Sequence, residues 1–195
     1  MSADEAVSTN ATRVGGPIDD PAAQRQATLR LRARISELAV AMVTTTDRRY
    51  MPSSRPLVTQ QFDEDGVLWF FARSDGSLAE DLETNRRVSV SYCDPGRGLY
   101  VSLSGFARFV YDSERILALW DERVSPWFPL GPSDSRLGLL RVDVDHAEYW
   151  DEPSSRMVRL LARAQAKLRR DPSLPRAEHE RLDLRKRPTG SRSAP

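Results

Sequence analysis

Apolar and polar residues alternate with a period of two over most of residues 39–150, and short polar turns interrupt the alternation. This pattern is typical of half-buried β-strands. Strands are predicted at 39–46, 53–62, 67–72, 87–93, 100–111 and 137–150. The dipeptide Asp65-Gly66 supplies the positive-φ position of a hairpin turn. Gly105 interrupts the fifth predicted strand and indicates a β-bulge or a barrel corner.

Helical periodicity is confined to a few segments. Leu31, Ile35, Leu38 and Met42 recur at spacings of three and four, which predicts a helix beginning near Pro21. Further helices are predicted at 77–85, 113–122 and 154–170. A doubly wound α/β fold would need a longer helix between every pair of strands. The pattern instead predicts a mainly β (α+β) protein, a small antiparallel barrel with flanking helices.

The chain is expected to form one domain. Its 195 residues, 39% of them hydrophobic, suffice for one core of ordinary size. Residues 1–21 are small and polar, and residues 171–195 are rich in Pro and Arg, so both ends are predicted to be disordered. The domain therefore spans 22–170.

Charge and composition restrict the function. With 29 basic and 28 acidic residues, the net charge is +1, which argues against nucleic-acid binding. No apolar stretch approaches the roughly 18 residues of a membrane span, and the N-terminus lacks the apolar core of a signal peptide. The single Cys93 lies in an alternating run, where a small buried residue in a reducing compartment is expected. A cytoplasmic protein is predicted.

Residue types that mark common active sites are scarce. His146 and His179 are far apart and there is one cysteine, so no transition-metal site is predicted. No Ser-His-Asp arrangement is evident, and no catalytic residue is assigned. Trp127 and Phe128 are flanked by prolines, which favours an interface or the wall of a ligand cleft over interior packing.

The loop 73–77 is a candidate anion site. Ser77 and Glu80 fit a capping box, so the first-turn N–H groups of the following helix would face outward with partial positive charge. Arg73 precedes that turn, and Arg55 on the preceding strand could converge on it. The only two lysines lie near the C-terminus, so an anion would be held by arginine, N–H groups or hydroxyls. In the alternative interpretation, the serine caps only its own helix and Arg73 is solvated.

Five stretches carry a resemblance to a known family. In order they read SRPLVTQ, LWFFARSDGSLAEDL, RVSVSY, YVSLSGFARF and AEYWDEPSSRMV. Over residues 25–165 this order resembles the FMN-binding split barrels related to pyridoxamine-5'-phosphate oxidase, and in particular their general-stress-protein branch. The resemblance implies a six-stranded antiparallel split barrel and a homodimer with FMN in the clefts between the subunits.

The resemblance also implies a set of cofactor-binding residues. The strand from Arg55 would line the flavin ring with its backbone, the loop and helix start would cradle the phosphate, and Trp150 would come from the other subunit. Leu78 stands where the family often has lysine, so Arg55, Arg73 and the helix N-terminus would hold the phosphate. The full set is Arg55, Pro56, Leu57, Val58, Thr59, Gln60, Phe71, Ala72, Arg73, Ser77, Leu78, Tyr100 and Trp150.

The oxidase itself carries an Arg-x-His that grips its substrate, and the matching stretch here is Arg156-Met157-Val158. The histidine is absent, which argues against oxidation of pyridoxamine phosphate and leaves Arg156 as a candidate substrate contact. The resemblance therefore implies a flavin-dependent oxidoreductase acting on an unidentified small molecule. Two alternatives stay open: a non-enzymatic flavin-binding stress protein, and a split barrel that holds deazaflavin or haem.

Overall fold

A computed structural model describes residues 20–151 and 178–185 of the chain. Three α-helices and seven strands occur in these ranges. The helices are α1 (Pro21–Ile35), α2 (Ser77–Thr84) and α3 (Ser113–Leu119). The strands are β1 (Val40–Thr46), β2 (Pro52–Phe62), β3 (Val67–Arg73), β4 (Arg87–Asp94), β5 (Leu99–Val110), β6 (Leu137–Asp151) and β7 (Glu178–Asp183). Two 3-10 turns, Glu122–Val124 and Gly131–Ser133, lie between α3 and β6.

The first six strands form a closed antiparallel barrel. They follow the order β3-β2-β1-β4-β5-β6, and β3 pairs with β6 to close it. The predicted six-stranded antiparallel barrel with flanking helices is confirmed. The alternation of apolar and polar residues explains the barrel, because β1, β4 and β5 each bury every second side chain in its interior.

The barrel is split between β2 and β3. These strands pair only from Thr59, opposite Phe70, to Phe62, opposite Leu68, and the register shifts by one residue in between. On its other side, β3 pairs with β6 along its whole length, from Val67 to Arg73. The first half of β2 pairs only with β1, so a gap opens between the two strands.

The interior holds one large apolar cluster, and a second cluster lies against the outside of β3. Val67, Trp69 and Phe71 point outward from β3 and pack on Val124 and Phe128. Since β3 is buried on both faces, its sequence is a continuous apolar run rather than an alternating one.

Gly105 forms the predicted bulge, where the β5–β6 register shifts between Ser104 and Gly105. A Cβ at this position would lie 2.0 Å from the carbonyl oxygen of Asp143. We expect Gly105→Ala to lower the free energy of unfolding by about 2 to 3 kcal/mol, because the β6 backbone must move. Urea unfolding would measure the change. In the control, Gly76→Ala, the new Cβ meets its nearest atom at 3.5 Å, and equal stability of the two variants would contradict the prediction.

Strand β7 corrects part of the predicted disordered tail. Residues 178–183 lie antiparallel to β6, from Asp151 opposite Glu178 to His146 opposite Asp183. In β6, pairing with β3 extends only over Leu137–Asp143, so the rest of that edge is open to another strand. Leu182 and Leu184 are 3% and 5% exposed and join the main core. The sequence signal for this strand was the spacing of two between Leu182 and Leu184, which is typical of one buried face of a strand.

Two other sequence predictions have definite outcomes. Cys93 is exposed rather than buried, because β4 turns its neighbour Tyr92 inward. The predicted helix 154–170, with Arg156, lies outside the described residues, as do residues 1–19. Within the described ranges, no helix is long and apolar enough to cross a membrane.

Candidate functional site

The first half of β2 presents a free backbone edge to the split. The Thr59 N–H donates to the Ala39 carbonyl on the β1 side at 2.9 Å. Because backbone groups alternate in direction along a strand, those of Pro56 and Val58 face away from β1 and into the gap. Pro56 has no N–H and offers only an acceptor, which suits an edge. The edge thus supplies both a donor, at Val58, and acceptors to a ligand.

A cavity of about 350 Å³ adjoins this edge. It is mainly apolar and has three walls: β2, the end of β3, and residues 124–128. Its lining residues are Pro56, Leu57, Val58, Phe71, Ala72, Arg73, Val124, Pro126, Trp127 and Phe128. Six of them come from the predicted cofactor set, and Trp127 and Phe128 form the cleft wall that their flanking prolines favoured.

The third wall belongs to the connection between α3 and β6, and we call residues 122–133 the cleft-wall segment. Val124 and Phe128 are each 3% exposed and pack in the second cluster, whereas Trp127 is 62% exposed. The buried side chains of Val124 and Phe128 therefore hold the segment against the second cluster, and the exposed Trp127 lies between them in the sequence.

Arg55 is held at the start of α2 by a carboxylate and two hydroxyls. Its Nη2 donates to Asp81 Oδ2 and to Ser77 Oγ, both at 3.0 Å, and its Nη1 donates to Thr45 Oγ1 at 2.7 Å. The Thr45 hydroxyl in turn donates to Asp81 Oδ2 at 2.6 Å. The side chains of Arg55 and Asp81 are 23% and 10% exposed. The guanidinium is thus preorganised, and part of the Arg55 side chain is still exposed.

The N-terminus of α2 differs from the predicted capping box. Gly76, and not Ser77, is the N-cap, and no side chain caps the helix. The Ser77 hydroxyl instead accepts from Arg55. The Gly76 carbonyl accepts from the N–H groups of Ala79 and Glu80, while no described group accepts from those of Ser77 and Leu78. Those two first-turn donors are available to an anion, and the Leu78 side chain is buried in the core.

Arg73 is paired within its own loop. Its Nε donates to Asp75 Oδ1 at 3.0 Å and its Nη2 donates to Asp75 Oδ2 at 2.9 Å. The hydrogen bond from Arg73 lowers the pKa of Asp75 below its ordinary value. Arg73 lines the cavity, so an anion there would share the guanidinium with Asp75.

Gln60 and Thr59 lie at the register shift where β2 meets β3. The Gln60 Nε2 donates to the Val58 carbonyl at 3.0 Å, and its Oε1 is buried with no hydrogen-bond partner in the described structure. Thr59 points into the barrel, where its hydroxyl bonds the Tyr92 hydroxyl at 2.8 Å. Burial raises the pKa of Tyr92, which therefore stays neutral. With its hydroxyl turned inward and its N–H bonded to Ala39, Thr59 offers no free donor to a ligand in the split.

Tyr100 and Trp150 are cross-strand partners on β5 and β6. Neither lines the cavity, so the structure brings them to each other and not to Arg55. The remaining candidate, Arg156, lies outside the described residues.

Sequence reasoning missed Asp81 and Thr45, which fix Arg55. The signal for Asp81 was its place on the buried face of α2, between Leu78 and Leu82. A carboxylate at an apolar position of a helix indicates a charge partner nearby. Thr45 offered no such signal, since a threonine in a strand is ordinary.

Comparisons with known proteins agree with this fold. Residues 26–172 match the family model described as pyridoxamine 5'-phosphate oxidase like. A general stress FMN/FAD binding protein from Xanthomonas citri is 30% identical, with 67% of this chain and 92% of that chain covered and a TM-score of 0.58. A candidate general stress protein 26 from Jannaschia sp. CCS1 is 21% identical, with 81% and 98% covered and a TM-score of 0.67, and shares the fold.

Protein bli-3 of Neurospora crassa is 26% identical over 120 residues. The match spans 56% of this chain and 57% of that protein, so a little over half of each is compared. The family model, by contrast, begins within α1, covers all six strands of the barrel and includes every residue of the cavity. On that evidence, the chain belongs to the pyridoxamine 5'-phosphate oxidase-like family.

Proposed function

We propose that this protein binds FMN in the split between β2 and β3 and acts as a flavin-dependent oxidoreductase on a small molecule. The observation that carries the proposal is the free edge of β2 beside an apolar cavity, with Arg55 and the uncapped start of α2 in the same region. The Xanthomonas citri relative is named as an FMN/FAD binding protein, which supports the same assignment.

Two polar groups of β2, one at the cavity and one two residues beyond its lining, fit the flavin ring. The pyrimidine part of isoalloxazine has alternating carbonyl acceptors and an N–H donor along one edge. The Val58 N–H and the unpartnered Gln60 Oε1 offer a complementary donor and acceptor. A buried acceptor without a partner is unfavourable by about 1–3 kcal/mol, and a ligand N–H would relieve that penalty.

The phosphate would be held by Arg55 and by the first-turn N–H groups of Ser77 and Leu78. An arginine gives a planar fork of donors, and the helix terminus adds partial positive charge. Leu78 is buried, so its contribution is limited to its backbone. Arg73 would add charge from the cavity wall, partly offset by Asp75.

When bound, the flavin would supply hydride or electron transfer, while the protein binds and orients the reactants. Arg73 is the only titratable side chain among the described residues that line the cavity. The described chain therefore supplies no acid or base there, and solvent would exchange the protons. This feature also favours the second candidate, a flavin-binding stress protein without catalysis.

Haem is less well supported than flavin, because the described lining includes no His, Cys, Met or Tyr to ligate iron. A deazaflavin shares the ring edge of flavin and stays an alternative that a mass spectrum would distinguish. The exposed thiol of Cys93 fits a reducing compartment, and a cytoplasmic location is part of the proposal.

A homodimer is the expected assembly, and the outer barrel face supports it. Three adjacent outward residues from each of four neighbouring strands form what we call the uncharged face. They are Ser54, Pro56, Val58, Val40, Met42, Thr44, Ser89, Ser91, Cys93, Tyr100, Ser102 and Ser104. In a chain with 29% charged residues, about three or four of these twelve would ordinarily be charged. Depletion of charge is typical of the centre of a protein interface.

The test starts from the purified protein, whose absorption spectrum and copurifying small molecules would be measured. The proposal expects flavin bands, a mass equal to FMN, and bleaching when NAD(P)H is added. Persistent colour under several reductants would favour the non-enzymatic candidate. A colourless protein that also fails to bind added FMN would refute both.

Asp75 is expected to weaken FMN binding, because it competes for Arg73 and repels the phosphate. We expect Asp75→Asn to tighten FMN by about two- to fivefold with little effect on riboflavin, as for an exposed ion pair. Since Arg73 lowers the pKa of Asp75 below 3.8, the carboxylate is ionised at neutral pH, and the gain in FMN affinity should be constant there.

The stabilisation that the Arg73–Asp75 pair gives the fold is present above pH 3.8 and is lost as the pH falls below that value.

Fluorescence titration with the two flavins would measure this effect. Asp121→Asn is the control, since Asp121 pairs with Arg123 at the same two-residue spacing but does not line the cavity. An equal gain in both variants would assign the effect to net charge rather than to Arg73.

A further inference from the structure

Trp127 is the one large aromatic side chain of the described cavity lining that is left uncovered. It is 62% exposed, while Phe71 and Phe128 are 4% and 3% exposed. Phe71 is also covered by Trp120, with ring centroids 5.8 Å apart. An exposed indole gains nothing from its own core, so its surface is available to a ligand.

The backbone around Trp127 is held firmly. Its N–H donates to the Val124 carbonyl at 3.0 Å, and the N–H of Phe128 donates to Val124 and Ser125 at 3.3 and 3.2 Å. The Gly131 N–H closes the next turn on the Phe128 carbonyl at 2.9 Å, with Gly131 at a φ of +66°. Prolines at 126 and 129 restrict the chain further. Little conformational entropy would therefore be lost when a ligand contacts the indole.

The surroundings of Trp127 match a flat apolar ligand. Val58 and Phe71 form the barrel side of the cavity, and Trp127 stands on the cleft-wall segment that forms the other side. Leu130, on the same segment and 69% exposed, does not line the cavity. Exposure by itself is thus shared by several residues of the segment, but only Pro126 and Trp127 combine it with a place in the lining, and of these two only Trp127 is aromatic.

We propose that Trp127 stacks on the isoalloxazine ring of the bound flavin and is the main side chain holding the ring, separate from the groups that hold the phosphate. The inference rests on the proposed function. Stacking contacts the ring, which FMN and riboflavin share, whereas Arg55 would contact the phosphate, which only FMN has. The two kinds of residue therefore make distinguishable contributions to affinity.

The test compares Trp127→Ala, Trp127→Phe and the control Leu130→Ala, each titrated with FMN and with riboflavin. We expect Trp127→Ala to raise both dissociation constants by about tenfold, because an aromatic contact and its buried area are lost. The ratio of the two constants should not change. Trp127→Phe should recover most of the affinity, and Leu130→Ala should match the unmodified protein. Thermal melting should show unchanged stability, since Trp127 is exposed.

The emission of bound flavin gives a second readout. A stacked indole quenches flavin fluorescence by electron transfer, so the bound flavin should brighten in both Trp127 variants and not in Leu130→Ala. Suppose that the unmodified protein binds flavin, and that Trp127→Ala binds FMN and riboflavin as tightly as the unmodified protein does, with unchanged flavin emission. The inference is then wrong and the proposed function stands. If the unmodified protein binds neither flavin, both are wrong.

Discussion

Arg55→Ala is expected to raise the dissociation constant of FMN by about tenfold to a hundredfold and to leave that of riboflavin nearly unchanged. The reason is that Arg55 would donate a charge-assisted hydrogen bond to the phosphate, a contact of about 1.5–3 kcal/mol. Arg55 is already oriented by Asp81, Thr45 and Ser77, so little entropy is lost when it binds. Titration of flavin fluorescence would provide both constants.

Two further variants make this experiment specific. Arg55→Lys keeps the charge but loses the planar fork of donors. Its affinity for FMN should therefore fall between those of the unmodified protein and Arg55→Ala. Arg108→Ala removes an exposed arginine from β5, outside the cavity, and should change neither constant. Equal weakening of FMN and riboflavin by Arg55→Ala would place Arg55 away from the phosphate.

Ser91→Arg is expected to convert a dimer into monomers and to release the flavin. Ser91 is exposed on β4 within the uncharged face, opposite Met42 on one side and Ser102 on the other. In a two-fold symmetric interface, the new charge would be buried twice. An unpaired buried charge is destabilising by about 3–5 kcal/mol, so the dimer dissociation constant should rise by a hundredfold or more.

Sedimentation velocity would measure this change, with the unmodified protein expected near twice the 22.0 kDa of one chain. Ser135→Arg is the matched control, because Ser135 is exposed in the loop before β6 and outside the uncharged face. A Ser91→Arg protein that stays dimeric would show that this face is not the interface. A monomeric variant that still binds FMN would show that one subunit suffices for the cofactor.

The strands could be predicted because most of them follow local alternation and β3 is a short continuous apolar run. β4 runs from Arg87 to Asp94 where 87–93 was predicted, and β6 from Leu137 to Asp151 where 137–150 was predicted. The bulge at Gly105 was visible too, since a glycine within a strand usually reflects close backbone approach. Strand β7 was not predicted, because five of its six residues are polar and pair with β6 only through tertiary contact.

The site was predicted less completely than the fold. The resemblance pointed to β2, Phe71, Ala72 and Arg73, and the structure places most of them around one cavity. The capping box failed because the Ser77 hydroxyl bonds an arginine 22 residues earlier in the chain. A local motif cannot reveal such a partner, and the same limit applies to Asp81, which lies 26 residues from Arg55.

Alternation and turn residues depend on neighbours within a few residues, and they were enough to predict a small antiparallel barrel. The order of five motifs over residues 25–165 then indicated the six-stranded barrel of this family. Only the tertiary structure decided where β2 separates from β3, which carboxylate orients Arg55, and which aromatic residue stays uncovered above the cavity. Those features depend on contacts between distant segments. Their energies are set by the geometry of packing and not by local sequence pattern.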